Sequence, residues 1–201
     1  MKKTILYSLV LAFSIFTVAC KKEVKKVEAQ FSIEPKTVTV KWTGYKTTSK
    51  IPVNGEFKEL QISNIKEAST AVEAMNGTVF SIPVSSLFSD DEERDGKLKQ
   101  LFFGVMDTTV SLTGTLNLND NGTGNVNLSM NGVSKEIPIT YVVSGQLVEL
   151  EGTLDLINDY KAESAMESIS KACFVLHTGP DGISKTWSEV GISASVYLKK
   201  K

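Results

Sequence analysis

The thiol of Cys20 is the group in this 201-residue chain whose surroundings define a reaction. Lys2 and Lys3 precede an apolar run from Ile5 to Phe16, broken only by Ser8 and Ser14. Thr17-Val18-Ala19 then places small or aliphatic side chains where a peptidase must seat the chain. This order matches a bacterial lipobox, in which the cysteine sulfur takes a diacylglyceryl group and the residue becomes the new amino terminus after cleavage. Thr17 stands where such boxes usually carry Leu. An ordinary cleaved signal peptide with a cysteine near its junction is the alternative. Two or more acyl chains, at about 0.8 kcal/mol per buried methylene, anchor a protein stably where one binds only marginally. The 19 residues before Cys20 are short and interrupted for a membrane-spanning helix, which needs about 20 mostly apolar residues. The expected organisation is a signal peptide over 1–19, a lipidated amino terminus and tether over 20–30, and one domain over 31–201. Lys21, Lys22, Lys25 and Lys26 make the tether basic and solvated. The expected location is the bacterial cell envelope. Because Lys21 rather than Asp follows the cysteine, the outer membrane is favoured for the anchor.

Other chemistry has little to stand on. The chain has one histidine, His177, and two cysteines, so a zinc site of three or four nitrogen and sulfur ligands cannot be assembled from the usual residues. His177 could pair with Asp181 and activate a hydroxyl, but a loop histidine with a satisfied hydrogen bond is the plainer reading. The acidic run Asp90-Asp91-Glu92-Glu93 lacks the spaced oxygens and turn glycine of a calcium loop, and reads as a solvated segment. No glycine-rich loop cradles phosphate. With Cys20 acylated, Cys173 has no partner for a disulfide and reads as a small buried apolar residue. These residues point away from an enzyme, a metal or a catalytic cofactor.

The elements that must carry any function are strands. Cleavage before Cys20 leaves 182 residues, enough for one domain with a sizeable core, holding 20 basic against 23 acidic residues. Basic residues are scattered, which argues against nucleic acid. Apolar residues alternate with polar ones over 36–46, 53–62, 77–85, 105–118, 123–130, 134–144, 146–156 and 187–198, the period of strands with one buried face. Asn131-Gly132 predicts a type I′ hairpin turn, and Gly114 a bend or bulge. Eight long strands joined by short turns predict an antiparallel β-barrel, with a two-sheet sandwich as the alternative. Helical spacing predicts a short helix over 94–103 and a longer one over 160–173 that covers one end.

Several segments, in a shared order, resemble the YceI-like family of secreted and lipid-anchored proteins. They are Val53-Asn54-Gly55-Glu56-Phe57, Phe80 to Leu87, Arg94-Asp95-Gly96-Lys97-Leu98 with Phe102-Phe103, and Met130 to Ile137. The ending Cys173 to His177 and Asp181 to Trp187 is similar to a lipoprotein subgroup from flavobacteria and their relatives. Gly96, Lys97 and Gly104 depart from the family's usual residues, and the 160–173 helix is extra relative to shorter members. The resemblance implies a lipocalin-like barrel around an elongated apolar tunnel that binds a polyisoprenoid or other lipid chain without catalysis. Val40, Trp42, Phe57, Phe80, Ile82, Leu112, Leu128, Ile139, Tyr141, Leu150 and Val196 are the expected lining, with Tyr141 or Trp42 offering a polar tip to a head group. Arg94 and Asp95 are expected to form an ion pair or a helix-start device. Burying ten to fifteen ligand carbons would contribute about 8–12 kcal/mol gross, before the ordering of a flexible chain is subtracted. The other reading open at this point is a structural or adaptor lipoprotein with a packed core and a protein partner, and a homodimer is equally open.

Overall fold

The computed structural model describes residues 31–200. The expected signal peptide, Cys20 and the tether lie outside the described residues. Eleven strands, β1 (Phe31–Ile33), β2 (Thr39–Lys46), β3 (Ile51–Phe57), β4 (Gln61–Ser63), β5 (Thr78–Pro83), β6 (Leu87–Phe88), β7 (Ser111–Leu118), β8 (Thr123–Met130), β9 (Val133–Ser144), β10 (Leu147–Asp155) and β11 (Glu189–Lys200), form one sheet. Three helices accompany them: α1 (Ala71–Met75), α2 (Glu92–Lys97) and α3 (Glu163–Ala172). The order is β4-β5-β7-β8-β9-β10-β11-β2-β3-β6, with β1 added beside β11, and every pairing is antiparallel. The sheet curls into a half-barrel, as right-handed strand twist over this many strands requires. A two-sheet sandwich is not found.

The count of eight strands is corrected to eleven, and the chain shows why. The segment expected as one strand over 53–62 breaks after Phe57, and β3 pairs with β2 and β6 while β4 pairs with β5. The segment 77–85 is interrupted by a 3-10 turn at Val84–Ser86, where the Ser86 hydroxyl donates to the Pro83 carbonyl at 2.7 Å. The strand expected from 105 begins only at Ser111, because Phe103–Val105 is a further 3-10 turn. β1 and α1 were not foreseen. Their signals are local: Phe31–Ile33 is only three residues long, and α1 is announced by Thr70, whose hydroxyl accepts from the Glu73 N–H at 3.1 Å.

The hairpin expectation at Asn131-Gly132 holds, with both residues at positive φ (51° and 68°). The expected bend at Gly114 does not. Its register is unbroken between Phe80 and Leu128, and the glycine is needed because a Cβ there would lie 2.7 Å from the Phe80 ring.

The helices plug the two ends. Asp91 caps α2 by accepting from the Arg94 N–H at 2.9 Å, and α2 runs on through a π turn at Leu98–Phe102, so the helix expected over 94–103 starts earlier and changes pitch. The helix expected over 160–173 is α3, shorter at its start. Tyr160 precedes it and is fully buried. α3 turns Ala165, Met166 and Ile169 inward, each large apolar side chain contributing about 1.5–3 kcal/mol on burial. At the opposite end, α1 and β1 bring Ala71, Met75 and Ile33 together with Leu116, Val148 and Leu198. No helix among the described residues is long and apolar enough to cross a membrane.

Candidate functional site

Inside the curl lies a cavity of about 450 Å³, in the size range of small-molecule sites. It runs the length of the sheet. Ile33 and Met75 line it at the β1–α1 end, and Leu98, Phe102, Cys173 and Leu176 at the α2–α3 end. Between them its wall is the inward parity of the long strands. Val40, Trp42, Phe57, Phe80, Ile82, Leu112, Leu128, Ile139, Leu150 and Val196 all line the cavity as expected.

Tyr141 is the exception and a correction. It is buried in the cluster at the β1–α1 end, and its hydroxyl donates to the Asn119 carbonyl, so it has no free polar tip. Trp42 differs: its Nε1 is buried and has no hydrogen-bond partner among the described residues. An unpaired buried donor costs about 1–3 kcal/mol, and the indole edge that carries it packs on Gly55, where a Cβ would lie 2.4 Å from Trp42 Cε2, so it is closed off from the cavity.

The α2–α3 end is polar as well as apolar. Lys46, Asp91, Glu93, Arg94, Lys97, His177 and Thr186 line it together with Leu98 and Leu176. Arg94 and Asp95 do not pair directly. Arg94 Nε donates to the Ser89 hydroxyl at 2.7 Å and its terminal nitrogen to the Ser89 carbonyl at 2.7 Å, while that hydroxyl donates to buried Asp95. The pair therefore staples the start of α2 through Ser89, the helix-start role rather than the ion pair. Lys97 bonds Glu93 at 2.6 Å, and this carboxylate holds its ammonium above the usual lysine range. Burial pushes the Cys173 thiol up against the opposing effect of Lys97.

His177 Nδ1 shares a 2.7 Å hydrogen bond with the Thr186 hydroxyl, and burial, reinforced by Lys46, lowers its pKa. Asp181 faces elsewhere, accepting from the Thr48 hydroxyl at 2.6 Å. Among the described residues no three His, Cys, Asp or Glu side chains gather as a metal site. Sequence reasoning had found the strand residues by parity. It had missed the end-on contributors Met75, Leu98, Phe102, Met166 and Cys173, and the charged rim. Helical spacing had flagged Leu98, Phe102, Met166 and Cys173 as apolar, but nothing in spacing says which way a capping helix points.

A single curled antiparallel sheet with an apolar cavity along its axis defines a class of β proteins built to enclose a guest. The model of the YceI-like domain matches residues 31–194, and the chain belongs to that family. Among solved structures, a polyisoprenoid binding domain from Saccharophagus degradans, implicated in plant cell wall breakdown, is similar at 14% identity and a TM-score of 0.58, over 86% of this chain and 99% of that one. BcnA from Burkholderia cenocepacia is similar at 16% identity and a TM-score of 0.51, over 82% and 98% of the two chains. No curated protein matches the chain.

Proposed function

We propose that this protein is an envelope lipoprotein that holds an elongated apolar ligand, a polyisoprenoid or similar lipid chain, in its cavity without transforming it. The observation that carries the reading is the apolar passage of about 450 Å³ running from Ile33 and Met75 to Leu98 and Cys173. A hydrocarbon gains about 0.8 kcal/mol per methylene moved there from water. The two unpaired buried polar atoms among the described residues, Trp42 Nε1 and Thr47 Oγ1, are closed off from any guest, so the strand wall offers a ligand apolar contact rather than a hydrogen bond. The similarity to a polyisoprenoid binding domain supports the same ligand class.

The curled sheet acts in this reading as a closed wall. Its two terminal strands continue from neighbours in sequence, since three residues separate β3 from β4 and three separate β5 from β6. Pairs Phe57 with Leu87 and Gln61 with Ser81 flank that break, and the Lys58 N–H donates to the Ser86 carbonyl at 2.9 Å across it. The anchor in this reading is Cys20, with the domain over 31–201 held at the outer membrane. The polar rim receives whatever head group the chain carries, with Lys46, Arg94 and Lys97 as cations.

The test is mass spectrometry of lipids extracted from protein purified without detergent. A stoichiometric isoprenoid or acyl lipid is expected. Protein that carries none, and takes up none from polyprenol-loaded vesicles, overturns the reading.

A further inference from the structure

The segment after α3 presents apolar side chains to solvent beside the cavity. Phe174, Val175 and Leu176 are 60%, 82% and 59% exposed, and Ile183 is 56% exposed. Four large apolar groups this open, within ten residues, depart from the scattered single exposures that a protein surface normally shows. The segment is firmly built. His177 N–H donates to the Cys173 carbonyl, and the hydroxyls of Thr178 and Ser184 both donate to the Phe174 carbonyl, at 2.8 and 2.9 Å. Thr178 and Ser184 form a bridge, and the Thr47 N–H donates to the Lys185 carbonyl at 2.8 Å, tying the loop to the β2–β3 turn.

We propose that this loop inserts into the interface of a lipid bilayer and holds the cavity mouth against it. Three observations favour a bilayer over a protein. Leu176 and His177 also line the cavity, so the exposed patch is continuous with the apolar passage. Lys185 flanks the patch, exposed, and Lys46 stands at the mouth, a placement that suits anionic head groups. Two nearby acids are neutralised, Glu167 by Lys171 at 2.6 Å and Glu93 by Lys97, which among the described residues leaves Asp181, bonded to the Thr48 hydroxyl, as the unpaired anion of the loop. Docking does not require the cavity to hold a lipid. Lipid exchange through the mouth does, and that part rests on the function proposed above.

The test uses the full chain on vesicles of phosphatidylethanolamine and phosphatidylglycerol with brominated acyl chains. An environment-sensitive label is placed at Val175→Cys or, as a control on the sheet wall, at Val142→Cys, which is 63% exposed. The unaltered chain, whose Cys173 is buried, sets the background. The label at 175 is expected to shift to the blue and be quenched, the label at 142 not. Adding Phe174→Ser and Ile183→Ser should reduce quenching at 175 by about tenfold. Should that variant fail to fold, the two single-label chains still decide. Absence of quenching at 175, equal quenching at both positions, or a blue shift that needs no vesicles and grows with protein concentration overturns the proposal, the last outcome marking a second copy as the occupant. Lipid extraction from the same protein separates the two ideas, because an empty cavity with a quenched label removes the ligand and leaves the docking.

Discussion

At the scale of single residues, burial sets the behaviour of His177 and Trp42. His177 is held neutral by burial and by Lys46, so its folded pKa lies below the ordinary 6.5. Between those two values the unfolded chain binds more protons than the folded one, and stability rises with pH through that window. Lowering the pH from 7 to 5 is therefore expected to lower the melting temperature, and His177→Gln to flatten that slope. An unchanged slope in the variant would remove the assignment. Trp42 makes the complementary prediction. Trp42→Phe keeps most of the wall and deletes a buried donor that has no partner among the described residues, so the variant should unfold at an equal or higher urea concentration, and a clear loss of stability would show that the N–H is satisfied after all. Both side chains were visible in the sequence. Parity gave Trp42 its inward direction, and a lone histidine in a polar loop made a satisfied hydrogen bond the plainer reading, which the Thr186 hydroxyl supplies. Parity also held for Tyr141, which faces inward, but its expected free polar tip does not exist, because the Asn119 carbonyl takes its hydroxyl. Cross-molecule hydrogen bonds leave no mark in local spacing.

At the scale of elements, strand periodicity was legible because each long strand buries one face and wets the other. The slip in parity where the strand crosses from one partner to another is short and easily read through. Phe57 and Leu60 are three residues apart rather than two, and residues 58–60 carry the chain from β3, beside β2, to β4, beside β5. Short elements escape for a related reason, since α1 and β1 hold too few residues for a period to emerge. β7 shows how an element depends on one small residue. A methyl at Gly114 would sit 2.5 Å from the Asn127 carbonyl oxygen and 2.7 Å from Phe80 Cζ, and backbone cannot move aside cheaply. Gly114→Ala is expected to destabilise the protein by about 1–3 kcal/mol in urea unfolding, as overpacking does. It should also push the Phe80 ring into the cavity and reduce lipid content in purified protein.

At the scale of the whole molecule, stability and occupancy are one equilibrium. A ligand held only by the folded state raises stability by about 2.7 kcal/mol when its concentration is a hundred times its dissociation constant. Delipidated protein is therefore expected to melt lower than protein as purified, and to recover when polyprenol is returned. Identical melting in both states would argue for a cavity that holds nothing. Cys173 is the one cysteine among the described residues, so reducing agents should leave either curve unmoved.

The entry of the chain fixes a direction for all of this. β1 joins the sheet beside Leu198–Lys200, whereas the Phe174 loop leads into the other end of β11. On the proposed anchoring, the eleven residues 20–30 can span at most about 36–40 Å. β11 has twelve residues, so the molecule stands about 30 Å tall once strand tilt is allowed for. Upright on that proposed anchor, the protein would turn its opening away from the leaflet that holds it. To draw from that leaflet it would have to topple until the distance back to Cys20 neared that limit, whereas an apposed surface would be faced without rotation.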